Sequence, residues 1–394
     1  MATGGMQMPQ DSLFGFSIQQ GSGGTDYAKM ADGYNEPDLT NMYYFPLTDS
    51  NVAMAKQQTA LPDEMGGKAM TLGTYVTGVW AGGTVSLIAR LEERLGWLLL
   101  ATMGEVSTVT DIKAEDLGIC GGSGSSGDTS GINSHIFFFS DNDEFFAPWL
   151  TMFHKLPHTT AAEEVGERMQ DGRIGTFTMN AAAGAPVGID LGIVGRRLQA
   201  SEEFDVNPGW SATYDDFTTF AVGTCEGHFK VEGTEYDVTN ITLNVTNNVL
   251  PPAQSVTIGS IDPKDFPLLG RQVTVTATIL VDTYDLYLST FVGSAADVSS
   301  GTDQTAACTV YKGDLDVMLA SQVAIGAAGD ATEKYKLRIV SNRDNNNVAW
   351  NVQPIRAQPR RPVVLQVQGT VEAVSGETAL YVVLQNAKAD YSLP

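Results

Sequence analysis

Cysteine, histidine and basic side chains are all scarce in this chain of 394 residues, and each shortage closes off a class of function. Three cysteines (Cys120, Cys225 and Cys308) are too few and too scattered for a disulfide framework and read as reduced thiols of a chain folded in the cytoplasm. Four histidines leave little for metal chemistry. His154 and His158 stand four apart, but Pro157 between them would break the helix that this spacing needs. Cys225 and His228 have no second close pair. Lys and Arg together number 23 against 46 Asp and Glu, a formal net charge of −23, and no Arg precedes Arg90. A chain so acidic repels nucleic acid instead of holding it.

Long apolar runs are missing too: none reaches the ~18 residues that a membrane-spanning helix requires, and Leu95–Ala101 is the densest short one. The start, Met1-Ala2-Thr3-Gly4-Gly5, has no basic patch followed by an apolar core, so no secretory signal is visible. Without export, Asn240-Ile241-Thr242 and Asn244-Val245-Thr246 read as strand alternation and not as glycan sites. Catalytic signatures are equally absent. Gly122-Ser123-Gly124-Ser125-Ser126-Gly127 matches a dinucleotide-binding spacing, but no strand precedes it and no helix follows. Asp141-Asn142-Asp143-Glu144 lacks the Gly and the closing Glu of a calcium loop. Neither a Gly-x-Ser-x-Gly elbow nor a phosphate-cradling loop occurs. The expectation is a protein without an active site, cofactor or metal.

What the chain does have is an internal echo. Leu72-Gly73-Thr74-Tyr75-Val76-Thr77 and Leu269-Gly270-Arg271-Gln272-Val273-Thr274 share the frame Leu-Gly-x-x-Val-Thr, 197 positions apart, half the chain length. Each is followed by a strand-like stretch, a short apolar helix-like stretch and a Gly (Thr84–Ile88, Ala89–Met103, Gly104; Val275–Val281, Tyr284–Val292, Gly293). That order points to a duplicated unit. The better helix is Ala89–Met103, with Leu91, Leu95, Leu98 and Thr102 on one face and Arg90, Glu93 and Arg94 largely on the other. Residues 1–35, rich in Gly, Ser, Gln and Asp, suggest an arm that only a partner orders. Thr71–Trp80 and Thr84–Ile88 read as a strand pair turning at Ala81-Gly82-Gly83. Residues 105–135 read as a long polar loop, and Thr176–Asn180 with Val187–Val194 as a hairpin.

The second half is more plainly β, with segments such as Val238–Thr246, Gln272–Val281, Val348–Val352, Val363–Val374 and Leu380–Gln385 separated by Asn-, Asp- and Gly-rich turns. Two segments reveal their faces. Ile241, Leu243 and Val245 point one way, and Asn240, Thr242, Asn244 and Thr246 the other; Val273–Val281 likewise sets Thr274, Thr276 and Thr278 against an apolar face. One dry face and one hydrated, uncharged face suits both an ordinary sandwich surface and the wall of a water-filled channel. Arg356, Arg360 and Arg361 form one basic cluster in this acidic chain, either a solvated turn or the positive side of an intersubunit contact.

Three groups of residues carry a family likeness: the block Leu72 to Gly104; the hairpin Gly175–Asn180 to Gly192–Gly195; and Ile241–Asn248 followed by Ile258-Gly259-Ser260, Leu269-Gly270-Arg271 and Asp285–Leu288. In these the chain resembles the major tail tube proteins of long-tailed bacteriophages, in the version where two tube domains are fused. The resemblance spans about residues 40 to 390. It implies a mostly β fold: two tandem β-sandwich domains (36–205 and 206–394), each with a flanking short helix, plus the extended N-terminal arm 1–35. It further implies a structural virion protein that stacks in rings, three chains making a pseudo-sixfold ring, as a tail tube. DNA would pass an acidic inner wall without specific binding. Implied partners are other copies of the chain, a tape measure protein, and tail terminator or tail-tip proteins, with no membrane. The implied place is the virion tail, assembled in the host cytoplasm. A virion decoration or receptor-binding module using the 105–135 loop is the alternative.

Overall fold

The computed structural model describes residues 13–19, 43–61, 73–117, 130–139, 148–156, 165–201, 218–222, 227–292, 310–327, 330–342, 345–353, 355 and 362–391. In chain order the first half supplies β1 (Leu13–Ile18), β2 (Tyr43–Ser50), β3 (Ala53–Ala60), β4 (Thr74–Ile88), α1 (Arg94–Met103), β5 (Gly104–Thr110), β6 (Asn133–Phe139), β7 (Leu150–Leu156), β8 (Val165–Ala182), β9 (Gly188–Gly195) and β10 (Arg197–Ser201). The second supplies β11 (Ala221–Val222), β12 (His228–Val231), β13 (Thr234–Glu235), β14 (Val238–Thr246), β15 (Gln272–Leu280), α2 (Asp285–Val292), β16 (Tyr311–Gly313), β17 (Asp316–Ala324), β18 (Lys334–Ser341), β19 (Val348–Val352), β20 (Val364–Val371) and β21 (Leu380–Asn386).

These strands form two sheets. One follows the order β16-β19-β20-β15-β14-β8-β7-β1-β2-β4-β3, with β9 bridging β4 and β8; the other runs β13-β12-β17-β18-β21-β6-β5. The mostly β architecture expected from the sequence is what the chain adopts. Both sheets mix the two halves: β8 pairs with β14, and β6 pairs with β21. A continuous apolar core lies between them, reaching from Phe14 through Leu98 and Leu243 to Tyr391. The boundary expected at 205 and 206 lies outside the described residues.

Several local expectations change. Part of the supposed arm is β1, inserted between β2 and β7, with Phe14, Phe16 and Ile18 buried and Phe16 stacked on Phe45 at 5.7 Å. Three apolar residues at alternate positions carry it, a signal diluted by the Gly/Ser-rich residues around them. Ala81-Gly82-Gly83 is no turn; β4 runs straight through it. The glycines serve close approach instead: a Cβ at Gly83 would meet the Asn51 carbonyl oxygen at 2.7 Å, and one at Gly82 would meet that of Ile193 at 3.0 Å. The 105–135 stretch is flanked by β5 and β6, paired from Gly104↔Phe139 to Thr110↔Asn133; its centre, 118–129, lies outside the described residues. The hairpin expected at 176–194 is present as β8 and β9.

The first helix begins at Arg94, later than its pattern suggests, and Leu95 through Met103 are all buried. It is therefore a core helix and not an amphipathic one, each leucine contributing about 1.5–3 kcal/mol relative to exposure. Gly104 ends it with φ +105°, a conformation that disfavours any side chain. Tyr391, fully buried near the end of the chain, closes over α1: its hydroxyl donates to the Glu93 carbonyl at 2.8 Å and its ring meets Trp97 edge-on at 5.3 Å.

Candidate functional site: a hydrated sheet face

Strand pairing brings the polar residues of six neighbouring strands onto one face. Thr242 stands beside Thr276 on β15 and Asn180 on β8; Asn244 stands beside Thr274 and Thr178. The rows extend outward to Gln368 and Thr370 on β20, and through Asp190 on β9 to Ser86 on β4. The seven residues singled out in the sequence (Asn240, Thr242, Asn244, Thr246, Thr274, Thr276 and Thr278) are all in this field, half-buried or exposed. Opposite them Ile241, Leu243, Val245, Val273, Val275, Ala277 and Ile279 are buried.

The sequence reading missed the flanks, Thr176, Thr178 and Asn180 on β8 and Gln366, Gln368 and Thr370 on β20. Their signal was available, since Phe177, Met179, Leu365 and Val367 alternate with them and are buried. Asp190 was also missed, and it is the one charged side chain among the described residues of this field. Apart from Asp190, the described face is uncharged hydroxyl and amide, so most of the chain's acidity is carried elsewhere.

Hydrogen bonds run along the rows from one half of the chain to the other. Thr242 Oγ1 donates to Asn180 Oδ1 at 2.9 Å, and Asn180 Nδ2 donates to Asp190 Oδ2 at 3.2 Å. Ser86 Oγ donates to Asp190 Oδ1 at 2.5 Å, and Thr178 Oγ1 to Asn244 Oδ1 at 3.1 Å. Lateral bonding of this kind fixes rotamers and leaves the remaining lone pairs to water. A hollow of about 260 Å³ interrupts the field, bordered by Asn240, Thr276, Thr278, Gln353, Gln366 and Gln368. With no cation among its described residues, the face offers nothing to exchange for the counterions of a phosphate backbone.

Behind the face, the second Leu-Gly frame braces both halves. Arg271 Nε donates to Asn247 Oδ1 at 2.9 Å, and Asn247 Nδ2 donates to the carbonyls of Ile174 (2.9 Å) and Thr102 (3.3 Å). The Arg271 guanidinium lies 4.0 Å from the Phe139 ring centre, and burial lowers its pKa to about 10, still cationic at neutral pH.

The second sheet carries a buried ionic group. Arg338 grips Asp316 through Nε at 2.9 Å and Nη2 at 2.8 Å, while its Nη1 donates to the Ala114 carbonyl at 2.7 Å. His228 Nε2 lies 3.3 Å from Asp316 Oδ1. Burial alone would raise the Asp316 carboxyl, but the bonds from Arg338 and His228 outweigh it and hold it well below the usual range. Lys113 bridges Asp330 at 3.0 Å and Glu333 at 2.9 Å. These contacts tie the 112–117 segment to β18.

His154 lies on β7, its Nδ1 3.2 Å from Glu167 Oε2, a structural pair. Arg356, Arg360, Arg361, His158, the Gly122–Gly127 run and the 141–144 acidic run lie outside the described residues. Among the described residues no group of three His, Cys, Asp or Glu could hold a metal ion, and no helix is long and apolar enough to cross a membrane.

Comparison with curated proteins finds none that matches this chain. A family model described as phage tail tube protein matches residues 27–352, most of the chain. The chain therefore belongs to the phage tail tube protein family, a structural component of the virion tail.

Proposed function

We propose that three copies of this chain close into a ring with pseudo-sixfold character, that the rings stack into the tail tube, and that the hydrated face forms its inner wall. The observation that carries this is the field itself, continuous across β4, β9, β8, β14, β15 and β20 and contributed by both halves of the chain. Two tube-like units, 36–205 and 206–394, follow from the repeated frame: β4 leads to α1 as β15 leads to α2. A ring built from paired units satisfies sixfold geometry with three chains.

The inner wall passes DNA because it is hydrated and its one described charge, Asp190, is negative. Without Lys or Arg among its described residues the face makes no phosphate clamp, and hydroxyls and amides already bonded to one another hold water in place of ligand. Arg356, Arg360 and Arg361 supply a positive side to a lateral contact in this acidic assembly. A tape measure protein fills the lumen before DNA does, and tail terminator and tail-tip proteins cap the two ends. The protein performs no catalysis; its work is assembly.

The test is electron microscopy with native mass measurement of the purified, concentrated chain. The proposal expects rings or hollow tubes with three- or sixfold averages and a ring mass of three chains. A stable ring of six full-length chains, or compact single particles at every concentration, would overturn it.

A further inference from the structure

Lys336 on β18 and Gln385 on β21 stand directly opposite each other in the second sheet, and both are buried. A buried lysine needs partners, and this one has two carboxylates. Its Nζ meets Glu333 Oε1 at 2.5 Å and Glu115 Oε2 at 2.8 Å. The same Glu333 Oε1 accepts from Gln385 Nε2 at 2.8 Å, so one buried carboxylate oxygen touches both the amine and the carboxamide nitrogen. The Gln385 carbonyl is engaged as well: the Ala114 amide donates to Oε1 at 2.6 Å. Arg338 fixes that amide in place by donating to the Ala114 carbonyl at 2.7 Å.

We infer that this cluster is a site of self-modification, where Lys336 Nζ and Gln385 Cδ join in an isopeptide bond with release of ammonia. The inference does not depend on the tube reading. Directly opposed side chains on neighbouring strands start from Cβ atoms about 4.5–5.5 Å apart, a gap that the joined chains span. Nζ, as the neutral amine, attacks Cδ, and the Ala114 N–H stabilises the negative charge that develops on Oε1. Glu333 takes protons from Nζ and returns them to Nε2. As the Nζ–Cδ bond forms, the Cδ–Nε2 bond breaks. The lysine ammonium gives up two protons in all, Nε2 gains both and departs as ammonium, and nothing is oxidised or reduced.

The charges around the site set the pace. Burial alone would lower the pKa of the Lys336 amine, but the bonds to Glu115 and Glu333 outweigh it and hold it above its usual range. The neutral amine is therefore scarce at neutral pH, and the bond forms slowly, faster as pH rises. Lys113, 2.9 Å from Glu333 Oε2, keeps that carboxylate compensated once the Lys336 charge is consumed. The product would pin β21 to β18 on one side while β21 still pairs with β6 of the first half on the other. The step happens once per chain and turns nothing over.

Mass spectrometry of the purified full-length chain tests this, before and after prolonged incubation at about pH 9, nearer the ordinary lysine range. Wild type should accumulate a species lighter than its sequence mass by one ammonia, and its digest should contain a branched peptide joining Lys336 to Gln385. Lys336→Arg should lose both signals, and Glu333→Gln should form the branched peptide at least tenfold more slowly. Circular dichroism checks that each variant is folded, and the wild-type digest decides the matter even where one is not. A wild-type digest with no branched peptide after incubation would overturn the inference. So would an equal ammonia loss in folded Lys336→Arg, or an undiminished rate in folded Glu333→Gln.

Discussion

Asp316 is the sharpest point at which to challenge the energetics of this fold. Its carboxylate sits between β17 and β18 at 3% exposure, gripped twice by Arg338, which is itself 7% exposed. Asp316→Asn keeps the shape but removes the charge, leaving a buried guanidinium with the Ala114 carbonyl and a neutral amide. Breaking a buried pair from one side costs about 3–5 kcal/mol, because the surviving charge stays desolvated. Replacing both partners by apolar residues, Asp316→Leu with Arg338→Met, should lie closer to wild type than the single change does, since no charge is stranded. Urea unfolding of the unassembled chain, followed by circular dichroism, measures both differences. The sign with pH also follows. A carboxyl whose folded pKa is lowered contributes fully above its unfolded pKa, about 4, and loses that contribution as pH falls through the folded value. The deficit of Asp316→Asn should therefore be constant from pH 5 to 8 and shrink only in strong acid. A single-variant deficit below about 1 kcal/mol, or a double variant as unstable as the single, would refute the reasoning.

Other expectations can be checked on the same protein. His135 is fully buried, and burial lowers its pKa to about 4, so the unfolded chain binds the extra proton between about pH 6.5 and 4. Wild type should then lose up to about 1.4 kcal/mol per pH unit across that window relative to His135→Gln, as read from paired unfolding curves. At Gly96 a Cβ would meet Tyr391 Cζ at 2.1 Å in a filled core. Gly96→Ala should cost about 1–3 kcal/mol, and the added variant Tyr391→Leu should recover part of it. Thr242→Lys with Thr276→Lys should leave assembly intact yet make tubes bind DNA at low salt and release it at high salt, measured by co-sedimentation. Wild-type tubes should bind none under either condition.

How much of this was legible in the sequence depended on whether one face of an element was dry and the other wet. β14 and β15 alternate cleanly, so both their strand character and their polar face could be read residue by residue. β17 was missed because Asp316 through Ser321 are buried on both faces and show no alternation. The two-face reading of α1 failed for the same reason: leucines on every side leave no polar stripe. β1 was hidden by its neighbours' composition, and the Gly82-Gly83 pair reads as a turn until the backbones crowding it are known. The continuity of the candidate wall was beyond sequence reach. It depends on β8 meeting β14 across 55 residues of intervening chain, a long-range pairing that local pattern does not encode.

The most direct test of the central claim is a reconstruction of the assembled tube at side-chain resolution. The account predicts three chains per ring, with Thr178, Asp190, Thr242, Thr276 and Gln368 facing the lumen. A ring of six chains, or a tube that turns this face outward or buries it between subunits, would contradict it.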